Sequence, residues 1–398
     1  MLKMVETTPE PLEPLVGPKV GEGIHVCVFA TSLNIGGIER MRVNLIPALQ
    51  DLGYKISLML HRAEGPLLPQ VPKEVEVISL DVHKAIMALP RAVREIKKRQ
   101  PDILLTSPIR NGLTMLAARR LGLLKGVKTK IITGIHNAMS EEAKLPKNWR
   151  DRFLPTVSHM LLPHADQILA VAGGVADDLA DCARIDRNKI TVVYNPVITP
   201  SFDSRMAEPV DHPWFNKKDV PLIVGMGRLV RQKDYPTLMR AFAIVRSQRP
   251  CRLAFIGDGP DRTKLQEMAE QFGVAEDVSF VGYQPNPFGF LSRASLFVLS
   301  SIHEGCPNAL IEAIGCGTPV VSTDCLSGPD EVLVDGEFGP LVPVGDHVAM
   351  AEAMAATLDA PLPAERLRGR AADFKAAKIA KDYSDVFQKV LKREPRPA

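Results

Sequence analysis

The residues best placed to do chemistry lie between Val298 and Gly328, in VLSSIHEGCPNALIEAIGCGTPVVSTDCLSG. An apolar run ends in Ser300 and Ser301, Glu304 follows, Gly305-Cys306-Pro307 breaks the chain, and a helical pattern then carries a second carboxylate, Glu312. Pro307 fits the first position of that helix, where its missing N–H costs nothing, so the N–H groups of Asn308, Ala309 and Leu310 are expected to point out of the helix start. Such a start attracts phosphate. A carboxylate beside phosphate is repelled, so Glu304 and Glu312 are expected to accept hydrogen bonds from hydroxyls of a ligand that also carries phosphate. A nucleotide sugar has hydroxyls at both ends and a diphosphate between them. The local pattern also admits an ordinary βα unit with two solvent-facing glutamates.

Other candidates lie upstream. GMGRLVRQKDYPTL, residues 225–238, places Arg228 and Lys233 around the entry to a helix. Gly227 lets a ligand approach the backbone, and the two cations suit a diphosphate and its departure, although a surface turn has the same pattern. It lacks the third glycine of GxGxxG, which disfavours a dinucleotide-binding dehydrogenase. IGGIERM, residues 35–41, opens a helix with Gly36 and Gly37, either facing the same diphosphate or making a plain tight turn. His136 and Asn137 follow a strand, at the edge where ligands of open α/β sheets gather, though a lone histidine is also a common structural residue. Asp258, in GDGPDR, is a further candidate in what also reads as a connecting turn. Basic and apolar residues mingle over Arg119–Lys130 and Lys144–Leu162, as solvated helix faces, an acceptor site or a peripheral membrane face.

These residues need a scaffold of βα units. Apolar runs predict strands at Ile24–Ala30, Lys55–Leu60, Val75–Leu80, Ile103–Thr106, Lys130–Thr133, Ile168–Val171 and Ile190–Val193. A second series follows at Leu222–Met226, Arg252–Ile256, Val278–Val281, Leu296–Leu299 and Val320–Ser322. Helical patterns alternate with them: Ile38, Met41, Leu45 and Leu49 form one stripe, and Tyr235–Gln248 and Asp261–Phe272 are others. Alternation of this kind predicts parallel, doubly wound sheets. The proline-rich segment 195–220 reads as a linker, with the domain boundary near Pro200. Four units result: a disordered tail over 1–23, a first domain over 24–200, a second over 201–375, and a terminal segment over 376–398. In the last, Ile379, Tyr383, Phe387 and Val390 share one face.

Composition narrows the class. The 398 residues are 45% hydrophobic and 24% charged, an ordinary globular profile. A net charge of +3 and 5% aromatic residues give no nucleic-acid signature. Six cysteines show no metal-binding spacing and read as reduced thiols of a cytoplasmic protein. The N-terminus lacks the apolar core of a signal peptide, and no run is long enough to span a bilayer.

Together, IGGIER, the His136 turn, GMGRLVRQKDYPTL, FIGDGPDR and HEGCPNALIEAIGCGTPVV resemble the retaining glycosyltransferases of family 4, in order and spacing over nearly all of residues 24–390. The resemblance implies an α/β GT-B fold, two Rossmann-like domains facing a cleft. The second domain would hold the donor and the last helix would cross back to the first. Glu304 and Glu312 match the two glutamates of the family's E-x7-E motif, at the donor sugar and the ribose. Arg228 and Lys233 match its diphosphate-binding pair. Gly36, Gly37, Gly227, Gly305, Cys306, Pro307 and the backbone of Asn308 and Ala309 would line the donor. Tyr283 would lie near the base, and His136 near the reacting carbon. The family usually works without metal or cofactor, which implies a nucleoside-diphosphate sugar, a UDP-sugar, as substrate. It also implies a glycan or lipid-linked acceptor in cell-surface polysaccharide biosynthesis, and a cytoplasmic location reaching the inner face of the membrane through the basic first-domain helices. An epimerase or phosphorylase of similar fold, and a non-catalytic nucleotide-sugar-binding protein, are the competing readings.

Overall fold

The computed structural model describes residues 19–83, 85–144, 152–217 and 219–392. The first domain is built on β1 (His25–Ala30), β2 (Lys55–Leu60), β3 (Glu76–Ser79), β4 (Ile103–Thr106), β5 (Lys130–Ile135), β6 (Gln167–Ala170) and β7 (Ile190–Val192). They form one seven-stranded sheet in the order β3-β2-β1-β4-β5-β6-β7, with every pairing parallel. Its helices are α1 (Gly37–Asp51), α2 (Ala85–Arg99), α3 (Ile109–Arg120), α4 (Met139–Lys144), α5 (Leu154–Leu161) and α6 (Gly173–Ala183). Val26 to Ala30 are all buried, as a parallel strand covered by helices on both faces requires.

The second domain carries β8 (Leu222–Met226), β9 (Arg252–Ile256), β10 (Val278–Gly282), β11 (Leu296–Leu299), β12 (Val320–Thr323) and β13 (Leu341–Val342). These make a six-stranded parallel sheet, β10-β9-β8-β11-β12-β13. Its helices are α7 (Phe202–Met206), α8 (Pro213–Asn216), α9 (Tyr235–Gln248), α10 (Arg262–Gln271), α11 (Phe288–Leu291), α12 (Asn308–Gly315), α13 (Pro329–Leu333), α14 (His347–Asp359) and α15 (Ala364–Ala371). Strand orders that step outward from β1 and from β8 in both directions make each half doubly wound, as expected. The proline-rich 195–220 segment is not an irregular linker. It includes α7 and α8, and Phe202, Val210 and Phe215 are buried in the second core.

The chain crosses between the domains twice, side by side. Val197 and Ile198 donate their N–H groups to Phe374 O at 3.1 and 3.0 Å, and Ala376 N–H donates to Ile198 O at 2.8 Å. After the second crossing, α16 (Ala376–Leu391) lies on the first domain. Ile379, Tyr383, Phe387 and Val390 are buried in its core, at roughly 1.5–3 kcal/mol for each large apolar side chain. Tyr54 stacks edge-on to Phe387 at 5.5 Å and its hydroxyl bonds Ser384 Oγ at 2.7 Å. Of the expected tail, residues 1–18 lie outside the described residues, as do 393–398 of the terminal segment. Lys19–Gly23 form a turn in which Gly21 N–H donates to Leu52 O at 2.9 Å.

Candidate functional site

The carboxyl ends of the two sheets face each other, and the candidate residues gather there. In the second domain the loops after β8 and β11 are joined by hydrogen bonds. Ile302 N–H donates to Gln232 O at 2.8 Å, Gln232 Nε2 to His303 O at 2.9 Å, and Ser300 Oγ to Lys233 O at 2.7 Å. This frame brings Lys233 Nζ to 2.6 Å from Glu304 Oε1, and Ser301 Oγ donates to the same oxygen at 2.6 Å. Glu304 is 7% exposed, so the ion pair is well shielded from solvent. Oε1 is thus engaged twice, and Oε2 has no hydrogen-bond partner among the described residues. Gly227 has φ +145°, and a Cβ there would lie 3.1 Å from both Lys233 Cε and the Tyr235 hydroxyl, so glycine is required. The Arg228 side chain is exposed at the same loop, with no protein partner among the described residues.

The helix start at Pro307 differs from expectation. Pro307 has φ −78° and ψ 79°, outside the helical region, and is the N-cap of α12, which begins at Asn308. Asn308 N–H closes an inverse γ-turn onto Cys306 O at 2.9 Å, and Leu310 and Ile311 donate to Pro307 O at 2.9 and 3.2 Å. Of the three N–H groups expected to be free, that of Ala309 alone lacks a backbone acceptor among the described residues. The polar side chain of Asn308 turns toward the first domain instead. Its Nδ2 donates to Gly37 O at 3.2 Å, while its Oδ1 accepts from Asn195 Nδ2 at 2.8 Å. The Cys306 thiol is pushed up to about 12 by burial and stays protonated.

Glu312, on α12, is pushed up to about 7 by burial, against the opposing pull of Arg40, Arg205 and Lys233. Arg40 comes from α1, so the second carboxylate is faced by cations of both domains. Arg205 is held over the Phe288 ring at 4.5 Å and donates to Pro285 O at 3.0 Å. Tyr283, 41% exposed, follows Gly282, whose φ is +79°. Asp258 stays within its own turn, accepting from Gly259 N–H at 2.8 Å.

Across the cleft, His136 follows β5 and is 8% exposed. Burial and then Arg42 hold its imidazole down at about 3, so the ring is neutral. Its carbonyl oxygen touches Gly305, where any side chain would overlap it. Gly36 caps α1 with extended backbone (φ −177°), and Glu39 curls back beneath it. His136 and Asn137 border a small hollow otherwise walled by the apolar Ile38, Pro108, Ile109, Ile135, Met139 and Leu154.

Several site residues carry no sequence signal of their own. Arg42 is 2% exposed and donates through Nη2 to Ser107 Oγ and O at 2.6 and 2.9 Å. In the sequence it reads as one more cation on a helix, and it is buried by contacts distant in the chain. The Tyr235 hydroxyl, buried without a partner beside Gly227, has no sequence signal either. Among the described residues no three His, Cys, Asp or Glu side chains cluster as metal ligands, and no helix is long and apolar enough to cross a membrane.

Residues 35–200 match the family described as Glycosyltransferase Family 4, and residues 209–374 match Glycosyl transferases group 1. The chain is 26% identical over 371 residues to the N-acetylgalactosamine-N,N'-diacetylbacillosaminyl-diphospho-undecaprenol 4-alpha-N-acetylgalactosaminyltransferase of Campylobacter jejuni, covering 89% of this chain and 97% of that protein. It is 34% identical over 181 residues to the lipopolysaccharide core biosynthesis glycosyltransferase LpsD of Rhizobium meliloti, covering 44% of this chain and 52% of that one. Among solved structures, the lipopolysaccharide outer core galactosyltransferase WaaB superposes with a TM-score of 0.71 at 20% identity, over 92% of this chain and 100% of its own. Anabaena HepE, in complex with UDP and glucose, does so with a TM-score of 0.73 at 15% identity, over the same shares.

Proposed function

We propose that this chain, a glycosyltransferase of the GT-B fold, moves a sugar from a nucleoside-diphosphate sugar to an acceptor hydroxyl with retention of anomeric configuration. The observation that carries the reading is the Lys233–Glu304–Ser301 cluster beside the α12 start, with neutral His136 across the cleft. A departing nucleoside diphosphate gathers negative charge. Lys233, Arg228 and the Ala309 N–H are the groups that stabilise it, the kind of fixed electrostatic contribution that dominates such transfers. Glu312 accepts from the ribose hydroxyls and Tyr283 lies along the base.

Glu304 is held by a cation and a hydroxyl on one oxygen, which suits it to position sugar hydroxyls rather than to attack carbon. The acceptor hydroxyl then approaches on the face the phosphate leaves. The bond from the anomeric carbon to the phosphate oxygen breaks, that to the acceptor oxygen forms, and the hydroxyl proton passes to the phosphate. His136, with no charge to repel the developing positive sugar ring, lines the sugar pocket.

For the donor, UDP is favoured because a structural neighbour of the same fold is described with UDP. For the acceptor, a glycan or lipid-linked glycan of a cell-surface polysaccharide pathway is favoured by the named activities of the relatives. A membrane-facing role for the first domain has support from Leu121, Leu123 and Met160, exposed by 71, 41 and 58%. The end of α3 and the segment after α5 meet where Arg119 donates to His164 O at 3.2 Å, and Lys125 and Lys128 are near in sequence.

The test is thermal shift of the purified full chain against UDP, GDP and ADP and their sugars, followed by donor turnover. A nucleotide at a hundred times its dissociation constant should stabilise by about 2.7 kcal/mol. Stabilisation by UDP and slow hydrolysis of a UDP-sugar are expected. Absence of any nucleotide response would refute the reading, and conversion of donor without transfer or hydrolysis would indicate an epimerase. Sedimentation with anionic vesicles, lost in Leu121→Glu/Met160→Glu, tests the membrane face.

A further inference from the structure

Two helices of the first domain open on paired glycines, and the second domain grips both. At α1 the contact is the Asn308 bond to Gly37 O. At α6 it is a carboxylate: Glu331 of α13 accepts from Gly173 N–H at 2.7 Å through Oε2 and from Gly174 N–H at 3.0 Å through Oε1. Tyr194, at the crossing between domains, adds its hydroxyl to Oε2 at 2.9 Å. A negative group set against the positive end of a helix, with two N–H groups aimed at it, is a strong arrangement, because dipole and charge-assisted hydrogen bonds act together.

Glu331 is itself fixed. Arg370 donates through Nη2 to the Glu331 carbonyl at 2.7 Å and through Nε to Val332 O at 2.9 Å. The surfaces beside the carboxylate touch as well: a Cβ on Gly174 would lie 2.6 Å from Ser327 Cβ and 2.8 Å from Ser327 Cα. Ser327 links this contact to the donor site, since its Oγ donates to the Glu304 carbonyl at 2.7 Å. Glu331, Tyr194, Arg370 and Ser327 have no part in holding nucleotide or sugar in the reading above.

We propose that Glu331 is a positioning residue whose carboxylate, docked on the start of α6, holds the two domains in the arrangement that brings His136 to the sugar beside Glu304. The clasp stands on geometry alone, while its consequence for turnover rests on the transferase reading. When the domains part, both glycine N–H groups and the carboxylate return to water, so the contact contributes only in the closed arrangement.

The experiment uses the full chain with Glu331→Gln, Glu331→Asp, Gly174→Ala and the Gln/Ala double variant. Amide exchange over 171–176, small-angle scattering, UDP affinity and turnover of a UDP-sugar are measured on each. In Glu331→Gln one acceptor oxygen becomes a donor facing an N–H, so the closed-to-open equilibrium constant should fall about ten-fold or more. Exchange at Gly173 and Gly174 should then accelerate, the radius of gyration should rise and turnover should drop, with UDP affinity within about two-fold of wild type, since a binding interaction in one domain is retained. Glu331→Asp should recover part of the loss. Gly174→Ala, a wedge from the opposite domain, should reproduce it, and the double variant should be no worse than the poorer single one. Wild-type exchange and scattering in Glu331→Gln would overturn the proposal, whatever its turnover. Failure of the wild-type chain to bind UDP would instead refute the transferase reading, and leave exchange and scattering to decide the clasp.

Discussion

Replacing Glu312 by Gln should make the protein more stable and a poorer binder. Its carboxylate sits in protein surroundings that raise it from an ordinary 4.5 to about 7, with burial outweighing Arg40, Arg205 and Lys233. At about 1.4 kcal/mol for each pH unit, that rise corresponds to roughly 3 kcal/mol; the solvent still reaching the half-buried side chain reduces it to about 1–2 kcal/mol. The sign follows from proton linkage. Between pH 4.5 and about 7 the unfolded chain has lost this proton while the folded chain keeps it, so stability falls as pH rises and the full cost is present by about pH 8. Glu312→Gln removes the ionisation. At about pH 8 it should raise the melting temperature by roughly 2–8 °C, and the gain should shrink toward zero near pH 4.5. UDP affinity, measured calorimetrically at the higher pH, should fall about ten-fold through loss of a charged acceptor for the ribose hydroxyls. A melting difference equal at both pH values would refute the account of a strained carboxylate, and unchanged UDP affinity would refute its place at the ribose.

Lys233→Ala leaves Glu304 shielded with Ser301 as its remaining side-chain partner, and should cost about 2–3 kcal/mol in denaturant unfolding. Adding Glu304→Gln should restore stability without restoring turnover; recovery of turnover would remove Lys233 from the leaving group. His136, neutral down to about pH 3, contributes stability that is fully present above pH 6.5 and is lost as pH falls toward 3. His136→Asn should therefore flatten the fall in melting temperature across that window. The wild-type rate profile should show no inflection near pH 6.5 that the variant abolishes, and such an inflection would mean that His136 titrates during catalysis.

Much of the scaffold is legible in the sequence because strands covered on both faces are continuous apolar runs. Lys55–Leu60, Ile103–Thr106, Leu222–Met226, Arg252–Ile256 and Leu296–Leu299 begin and end where the runs do. Leu341–Val342 is not legible, since two residues carry no period and pair only because β12 offers an open edge. The site divides in the same way. Gly227 and Lys233 sit in one loop after a strand, and Glu304 and the helix after Pro307 in another, each with its own turn residues, so each loop shows as a motif although the two meet across 71 residues. The N–H groups at that helix start depart from expectation because proline accepts an inverse γ-turn as readily as a helical turn, a choice made by the loops packed around it. Arg42 and the Glu331–Gly173 contact depend on segments far apart in the chain. Nothing local marks an arginine as buried or a glycine pair as the seat of another domain's carboxylate.

The position of α16 has a consequence for how the molecule is made. The second sheet and its helices are encoded inside the first domain's own sequence, between β7 and the helix that closes over α1. During synthesis from the amino terminus, the second domain therefore has all of its strands outside the ribosome while the first domain still shows water the apolar surface that Ile379, Tyr383, Phe387 and Val390 will cover. The half that comes first in the gene is the half finished last. A stop a few dozen codons early would strip the first domain of part of its core and leave the second domain's strands complete.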